Sequence, residues 1–240
     1  MRIYFASPDP RGGRCVLPPD AAHHATRVRR LREGDPITVF DGVGNEYAGT
    51  IVGVARHGLE VDLGPAQAVS RESPLQICLA QGISSGDRMD YTVQKAVELG
   101  VSRIQPLLTE RSVVRLEGDR AARRREHWQA VVVSACGQCG RNQVPEVAPV
   151  MALRDWLAGL DGSAGVRLAL DPEGDTRLST IPPPPRLTLL AGPEGGLAPA
   201  ELLAVRQTGF TGLRLGPRTL RTETAAVAAL AAMQASWGDF

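Results

Sequence analysis

The sequence predicts an α/β protein with two domains, a small β-rich domain over residues 1–72 and a larger α/β domain over residues 73–240. Three observations support this prediction. The chain has 240 residues, of which 43% are hydrophobic and 22% are charged, which is enough for two cores. Short apolar stretches separated by turns fill the first part of the chain. From Leu75 onward, strand-like and helix-like segments alternate.

The composition excludes several other classes of protein. No window approaches the ~18 uncharged apolar residues of a membrane span, and the first residues contain no apolar run long enough for a signal peptide. Four cysteines are too few for a disulfide framework in a chain of this length. We therefore expect a soluble cytoplasmic protein that has no membrane partner.

The elements of the first domain follow from the hydrophobic pattern and the turn residues. Three stretches that are apolar or alternate predict strands: Pro36–Phe40, Glu46–Val54 and Gly58–Leu63. The first two flank the turn cluster Asp41–Asn45, which is suited to a hairpin. A helix is predicted over Ala21–Arg32 with Asp20 as its N-cap, and the polar stretch Gly64–Pro74 is predicted to be a linker.

The second domain shows the alternation of strands and helices that is typical of a parallel sheet. Five apolar stretches predict its strands: Leu75–Ala80, Ile104–Leu108, Val166–Leu170, Leu187–Ala191 and Gly212–Leu215. Four further stretches are predicted to be helices: Asp87–Leu99, Asp119–Cys136, Leu153–Leu160 and Glu223–Ala235. Since a strand, a helix and a strand follow one another from Leu75 to Leu108, we expect a parallel sheet with helices on its faces.

Positive charge in this sequence is local rather than global. The 27 basic and 26 acidic residues give a net charge of +1, so the whole molecule has no field that would attract a polyanion. Arginines nevertheless cluster between residues 27 and 32, and again between residues 103 and 125. Such clusters fit phosphate binding, and they fit a solvated helix face equally well.

Two short motifs carry little functional information. A G-x-G over Gly42–Gly44 follows a strand, but the third glycine and the helix of a dinucleotide site are missing. Cys136 and Cys139 end a predicted helix, with too few further ligands nearby for zinc, so we expect no metal site. The polar loop beside them, with Gln138 and Arg141, faces either a substrate or only solvent.

Two glycine-rich turns near the C-terminus are the strongest candidates for a ligand site. Gly192–Gly196 follows the strand Leu187–Ala191 directly, and Leu215–Thr224 follows the last predicted strand. Ligands bind at the carboxyl ends of strands in open α/β sheets, where glycines let backbone groups approach them closely. Charged and hydroxyl side chains accompany these turns: Glu194, Arg221, Thr222 and Glu223. The alternative is ordinary turn chemistry followed by the start of a helix.

At these residues the sequence resembles the SPOUT class of RNA methyltransferases, and within it the ribosomal RNA small subunit methyltransferase E family. The matching pieces run through nearly the whole chain: His23–His24 with Val28–Arg32 and Gly34–Asp35, Arg71–Leu75, Gln94–Val101, Gln138–Asn142 with Val144–Glu146, Gly192–Leu197, and Leu215–Arg218 with Leu220–Ala225. The resemblance implies an N-terminal PUA-like β-barrel that binds RNA and a C-terminal α/β domain with a deep trefoil knot. It also implies a homodimer with the active site near the subunit interface.

The reaction that the resemblance implies is methylation of N3 of a uridine in 16S ribosomal RNA, free or in the small ribosomal subunit, by S-adenosylmethionine. Because that N3 carries a proton at neutral pH, the site must accept a proton and stabilise an anionic ring. Arg221 is expected to stabilise the charge on the uracil oxygens, and Glu223 or Glu194 to act as the base or to orient it.

The resemblance also implies binding residues. The cofactor is expected at Leu170, Gly192, Glu194, Gly195, Gly196, Leu215, Gly216, Leu220 and Thr222. The resemblance and the arginine clusters together imply RNA contacts at Arg27, Arg29, Arg30, Arg32, Arg123, Arg124, Gln138 and Arg141. Two alternatives stay open: a SPOUT methyltransferase for another RNA or base position, and a non-catalytic RNA-binding assembly factor.

Overall fold

The computed structural model describes residues 1–55, 57–161 and 165–240, apart from the side chains of His24, Val28 and Ala55. The chain divides into two compact units. The first comprises residues 1–72 and 136–144, and the second comprises residues 73–135 and 145–240. The segment 136–144, which the sequence predicts to belong to the larger domain, is therefore grouped with the N-terminal residues.

The first unit is built on a six-stranded sheet. Its strands are β1 (Arg2–Tyr4), β2 (Gly13–Leu17), β3 (Pro36–Phe40), β4 (Asn45–Ala55), β5 (Gly58–Leu63) and β6 (Gln67–Ala68). The strand order is β1-β3-β4-β5-β2, with β6 paired to β4. Strand β1 pairs with β3 in parallel, whereas the other neighbours are antiparallel. Its core is formed by buried aliphatic side chains that include Leu17, Val39, Ile51 and Val61.

The predicted hairpin is present and depends on Asp41. The carboxylate oxygen Oδ1 of Asp41 accepts hydrogen bonds from the backbone N–H groups of Val43 at 2.9 Å and Asn45 at 3.0 Å. The Asp41 side chain therefore satisfies two backbone N–H groups of the turn that connects β3 to β4. The G-x-G over Gly42–Gly44 is thus part of a hairpin turn.

The N-terminal helix is shorter than the prediction of Ala21–Arg32. Helix α1 covers Pro19–His23 and continues into a π-helical turn over His24–Val28. The N–H of Leu31 donates to the carbonyl of Ala25 at 2.9 Å, which closes the turn. Arg30 then adopts a φ of 56°, in the left-handed region that stops a right-handed helix.

The second unit contains a parallel sheet, as the sequence predicts, although the described residues form seven strands where the sequence predicts five. Its strands are β7 (Gln76–Gly82), β8 (Arg103–Leu108), β9 (Glu146–Val147), β10 (Met151–Ala152), β11 (Val166–Leu170), β12 (Arg186–Ala191) and β13 (Thr211–Leu213). The order is β10-β8-β7-β12-β11-β13, with β9 paired to β8, and the ladders are parallel. The carboxyl ends of β12, β11 and β13 consequently lie next to one another at one edge of the sheet.

Helices connect and cover these strands. They are α2 (Asp87–Glu98), α3 (Gly118–Cys139), α4 (Leu153–Ala158), α5 (Pro199–Gln207) and α6 (Thr222–Trp237). Helices α2 and α6 pack against each other, as do α4 and α5. The residues of α6 that are buried include Ala226, Leu230 and Met233, so this face belongs to the core. Within the described part of the chain, no helix combines the length and hydrophobicity needed to cross a membrane.

Candidate functional site

The second unit contains a cavity of about 640 Å³ at the carboxyl ends of β11, β12 and β13. Its lining comes mostly from the segments that follow these strands, within residues 170–173, 191–197 and 213–225. The volume is in the range of small-molecule sites, which is roughly 300–1,000 Å³. Every residue that the sequence predicts for the cofactor lines this one cavity: Leu170, Gly192, Glu194, Gly195, Gly196, Leu215, Gly216, Leu220 and Thr222. The predicted catalytic residues Arg221 and Glu223 line it as well.

The segment Gly192–Gly196 is held tightly against the end of β7. A Cβ on Gly82, the last residue of β7, would lie 2.6 Å from both the backbone nitrogen and Cδ of Pro193. No side chain fits at that distance, so glycine is required for the close approach. The segment then turns back at Gly196, which has a φ of 68° and donates its N–H to the Pro193 carbonyl at 2.9 Å.

A buried polar clamp joins the two glycine-rich turns. Thr222 Oγ1 donates to the carbonyl oxygen of Gly192 at 2.6 Å. The side-chain amide nitrogen of Gln81 donates to the same carbonyl at 3.3 Å and to Thr222 Oγ1 at 3.2 Å. Gln81 is fully buried, so these bonds form where water does not compete. Sequence reasoning missed Gln81, although its position at the carboxyl end of a strand was a usable signal.

Glu194 is anchored by the turn between β7 and α2. Its Oε1 accepts hydrogen bonds from the Ser85 N–H at 2.8 Å, the Ser85 hydroxyl at 2.7 Å and Arg88 Nη1 at 3.0 Å. Burial works against ionisation, but the hydrogen bonds from Ser85 and Arg88 outweigh it and hold the pKa of Glu194 below its ordinary value. Glu194 is therefore an ionised and well-satisfied carboxylate at neutral pH.

Glu223 has a different environment in the first turn of α6. Its side chain is 16% exposed, and Oε1 lies 3.9 Å from Arg88 Nε. Its other oxygen, Oε2, is buried and has no hydrogen-bond partner among the described residues. A buried acceptor without a donor costs about 1–3 kcal/mol, so Glu223 is the less well satisfied of the two carboxylates. Arg221, the residue before α6, is exposed at the same cavity.

The predicted RNA-contacting residues lie in both units. In the first unit, the four arginines within and after the π-helical turn are exposed: Arg27, Arg29, Arg30 and Arg32. Gln138, in the last turn of α3, is also exposed. In the second unit Arg123 is exposed, whereas the half-buried Arg124 lies over the Trp128 ring at 5.9 Å from its centroid.

Arg141, which the sequence predicts to contact RNA, is buried in an ion pair. Its side chain is 6% exposed, and its Nε lies 3.0 Å from Glu72 Oε2, with Nη2 bonded to the same oxygen. The neighbouring Asn142 donates from Nδ2 to the Val69 carbonyl at 2.8 Å and to Glu46 Oε2 at 3.2 Å. These bonds explain why residues 136–144 are grouped with the first unit.

The cysteine pair does not form a functional centre. Cys136 is buried, which raises the pKa of its thiol to about 12, and its Sγ donates to the Gln143 carbonyl at 3.6 Å. Among the described residues, no group of three or more histidine, cysteine, aspartate or glutamate side chains could hold a metal ion. Cys136 therefore behaves as a packed core residue.

Comparison with known proteins agrees with this geometry. Residues 71–234 match the model of an RNA methyltransferase domain, and residues 17–64 match that of an RNA methyltransferase PUA domain. Ribosomal RNA small subunit methyltransferase E of Buchnera aphidicola (subspecies Schizaphis graminum) is 32% identical over 218 residues, which is 90% of this chain and 88% of that protein. The chain belongs to this methyltransferase family.

Further methyltransferases support the assignment. The Bacillus subtilis enzyme of the same name is 31% identical over 222 residues, which cover 89% of this chain and 87% of that one. A crystal structure from Neisseria gonorrhoeae, bound to S-adenosyl methionine, is 42% identical with a TM-score of 0.93, covering 100% of this chain and 98% of that one. A putative methyltransferase from Legionella pneumophila, also with bound cofactor, is 39% identical with the same TM-score and coverage. The predicted α/β class, with an RNA methyltransferase domain and an N-terminal PUA domain, is confirmed.

Proposed function

We propose that this chain is an S-adenosylmethionine-dependent methyltransferase that methylates N3 of a uridine in 16S ribosomal RNA. The observation that carries the proposal is the cavity at the three strand ends, which all predicted cofactor and catalytic residues line. A similar methyltransferase, 42% identical to this chain, holds S-adenosyl methionine in its crystal structure. The acceptor atom N3 and the RNA target rest on the family resemblance and on the chemistry of the side chains below.

The cavity fits S-adenosylmethionine in size and in chemistry. Leu170, Leu215 and Leu220 provide apolar surface for a flat adenine ring, and the glycine-rich turn offers backbone donors and acceptors. The carboxylates of Glu194 and Glu223 favour the positive groups of this cofactor. When bound, S-adenosylmethionine supplies a methyl group on a sulfonium, which is open to attack by a nucleophilic nitrogen.

Glu223 is the better candidate for the base. The Oε1 atom of Glu194 already accepts three hydrogen bonds, whereas Oε2 of Glu223 is buried without a partner among the described residues. In our proposal, the Glu223 carboxylate accepts the proton of uracil N3 as the N–H bond breaks. The electron pair left on N3 then forms the bond to the methyl carbon while the sulfur–carbon bond breaks.

Arg221 is suited to stabilise the charge that this proton transfer creates. Its guanidinium is exposed at the cavity, one residue before Thr222 and two before Glu223. An anionic uracil spreads its charge over two carbonyl oxygens, and a guanidinium donor beside them lowers the energy of that state. Arg221 would therefore act on the transition state more than on cofactor binding.

RNA binding is proposed to use both units. The exposed arginines Arg27, Arg29, Arg30 and Arg32 support an RNA-binding role for residues 1–72, and the exposed Arg123 is a further candidate. The partner would be 16S ribosomal RNA, free or in the small ribosomal subunit, in the cytoplasm. By family resemblance we also propose a homodimer, which analytical ultracentrifugation can test.

The proposal is tested by nucleoside mass spectrometry of 16S RNA from cells with and without this chain. We expect 3-methyluridine to disappear when the chain is absent and to return with the wild-type gene. Arg221→Ala and Glu223→Gln should lower the methylation rate by about 10²-fold or more, while calorimetric affinity for S-adenosylmethionine changes less than about threefold. Persistence of 3-methyluridine without the chain would contradict the proposal. RNA binding without cofactor binding would favour a non-catalytic role.

A further inference from the structure

Arg88 is a charged residue of the cavity that the motifs do not indicate. We infer that Arg88 is a positioning residue for methyl transfer: it holds Glu194 and Glu223 side by side as carboxylates and fixes the orientation of Glu223. The inference rests on the proposed function, because it concerns the same cavity and the same base. It adds a residue more than 100 positions away from either glutamate in the sequence.

One guanidinium contacts both carboxylates. Arg88 Nη1 lies 3.0 Å from Glu194 Oε1, and Arg88 Nε lies 3.9 Å from Glu223 Oε1. The two carboxylates therefore share one cationic partner, which ties Glu223 to the anchored Glu194 and to the first turn of α2.

The two oxygens of Glu223 have different surroundings. Arg88 approaches Oε1, whereas Oε2 is enclosed by protein without a donor among the described residues. A substrate must therefore meet this carboxylate on the side that Arg88 contacts, so Arg88 influences the direction in which Glu223 faces the substrate.

The base of Arg88 is rigid, as a positioning role requires. Arg88 lies in the first turn of α2, where its neighbour Met89 and, one turn later, Val93 are fully buried. The Thr92 hydroxyl donates to the Arg88 carbonyl at 2.9 Å, and Arg88 Nη1 donates to the Ser85 hydroxyl at 3.1 Å. The side chain is 43% exposed, so it extends from a fixed helix to the surface of the cavity.

The first test compares Arg88→Gln, Arg88→Lys and the control Arg154→Gln. Arg154 is 89% exposed and pairs only with the adjacent Asp155 among the described residues, so its loss should leave the rate unchanged. We expect Arg88→Gln to lower the single-turnover methylation rate, at saturating RNA and cofactor, by about 10- to 100-fold. The KM for RNA and the calorimetric affinity for S-adenosylmethionine should change less than about threefold. Arg88→Lys should recover at least part of the rate, because it restores the charge.

The second test is a double-mutant cycle between Arg88→Gln and Glu223→Gln. If Arg88 acts through Glu223, removing it from the Glu223→Gln enzyme should cost less than about threefold further. A wild-type rate for Arg88→Gln, a loss confined to RNA or cofactor affinity, or full additivity in the cycle would overturn the inference. These outcomes leave the proposed function intact if the wild-type chain forms 3-methyluridine. Absence of that product from the wild-type reaction would overturn both.

Discussion

Glu46 joins three side chains in the first unit, and its replacement by glutamine gives a stability change that can be calculated in advance. Its Oε2 accepts from Arg71 Nη1 at 2.9 Å, Arg2 Nη1 at 2.8 Å and Asn142 Nδ2 at 3.2 Å. The hydrogen bond from Arg71 is the largest influence; with Arg2 and Asn142 it outweighs burial and lowers the pKa of Glu46 from 4.5 to about 2. Glu46→Gln keeps the shape of the side chain and removes the charge.

The size of the effect follows from that pKa. A fall from 4.5 to about 2 corresponds to at most about 3.5 kcal/mol at roughly 1.4 kcal/mol per pKa unit. Because the partner Arg71 is 42% exposed, solvent screening reduces the expected loss in Glu46→Gln to about 1–2 kcal/mol. The pKa is lower in the folded state, so this stabilisation is fully present above pH 4.5 and is lost as the pH falls towards 2.

Hydrogen–deuterium exchange at pH 7 locates the effect, and urea unfolding at pH 7 and pH 4 measures its pH dependence. We expect amides of β3 and β4 in Glu46→Gln to exchange about 5- to 30-fold faster than in the wild type, with amides of the second unit as internal reference. The urea difference should be smaller at pH 4. Glu33→Gln, at an exposed residue of the same unit, is the control. Equal stability of Glu46→Gln and wild type at pH 7, or a difference that does not shrink in acid, would refute the reasoning.

Three further predictions concern the buried ion pair, the cofactor loop and RNA. Arg141→Gln removes the guanidinium from the partly exposed carboxylate of Glu72, and should lower the urea-measured free energy of unfolding by about 1.5–3 kcal/mol. Gly82→Ala places Cβ 2.6 Å from Pro193, so calorimetry should give about tenfold weaker binding of S-adenosylmethionine. Gly53→Ala, whose Cβ meets only one atom at 4.0 Å, should bind normally. Arg27→Gln should reduce the slope of log affinity for RNA against log salt by about 1, and an unchanged slope would argue against a phosphate contact.

The fold could be predicted where the hydrophobic pattern has one explanation. Apolar runs bounded by turns gave β3 and β11 at their observed limits, and the strand–helix–strand order predicted a parallel sheet. Helix α5 was missed because it follows the glycine-rich turn directly, with Pro199 and Glu201 in its first turn. At the start of this helix, Glu201 Oε2 accepts a hydrogen bond from the Ala198 N–H at 2.9 Å. Because the cap residue Ala198 is non-polar, the sequence gives little sign that a helix begins there.

The candidate site also has some residues that the sequence marks and others that it does not. Glycines and charged residues within two short segments mark the cavity, because ligand-binding turns after parallel strands accept few residue types. The partners of those segments are less visible, because Ser85 and Arg88 are distant in the sequence and look like ordinary residues at a helix start. The burial of Arg141 is equally hidden: an arginine in a polar loop looks solvent-exposed, and its pairing with Glu72 joins residues 69 positions apart.

The register of the sheet connects the visible and the hidden parts of the site. Strands β7 and β12 pair in parallel with Gln81 opposite Ala191, so the next residues, Gly82 at the end of β7 and Gly192 directly after β12, also lie close together. Pro193 lies so close to Gly82 that no side chain would fit there. The side chain of the neighbouring residue, Gln81, donates to the Gly192 carbonyl. The register of the paired backbones therefore places the turn after β12 next to the end of β7. A cofactor site built in this way needs few identifiable side chains, which is why its glycines are its clearest mark in the sequence.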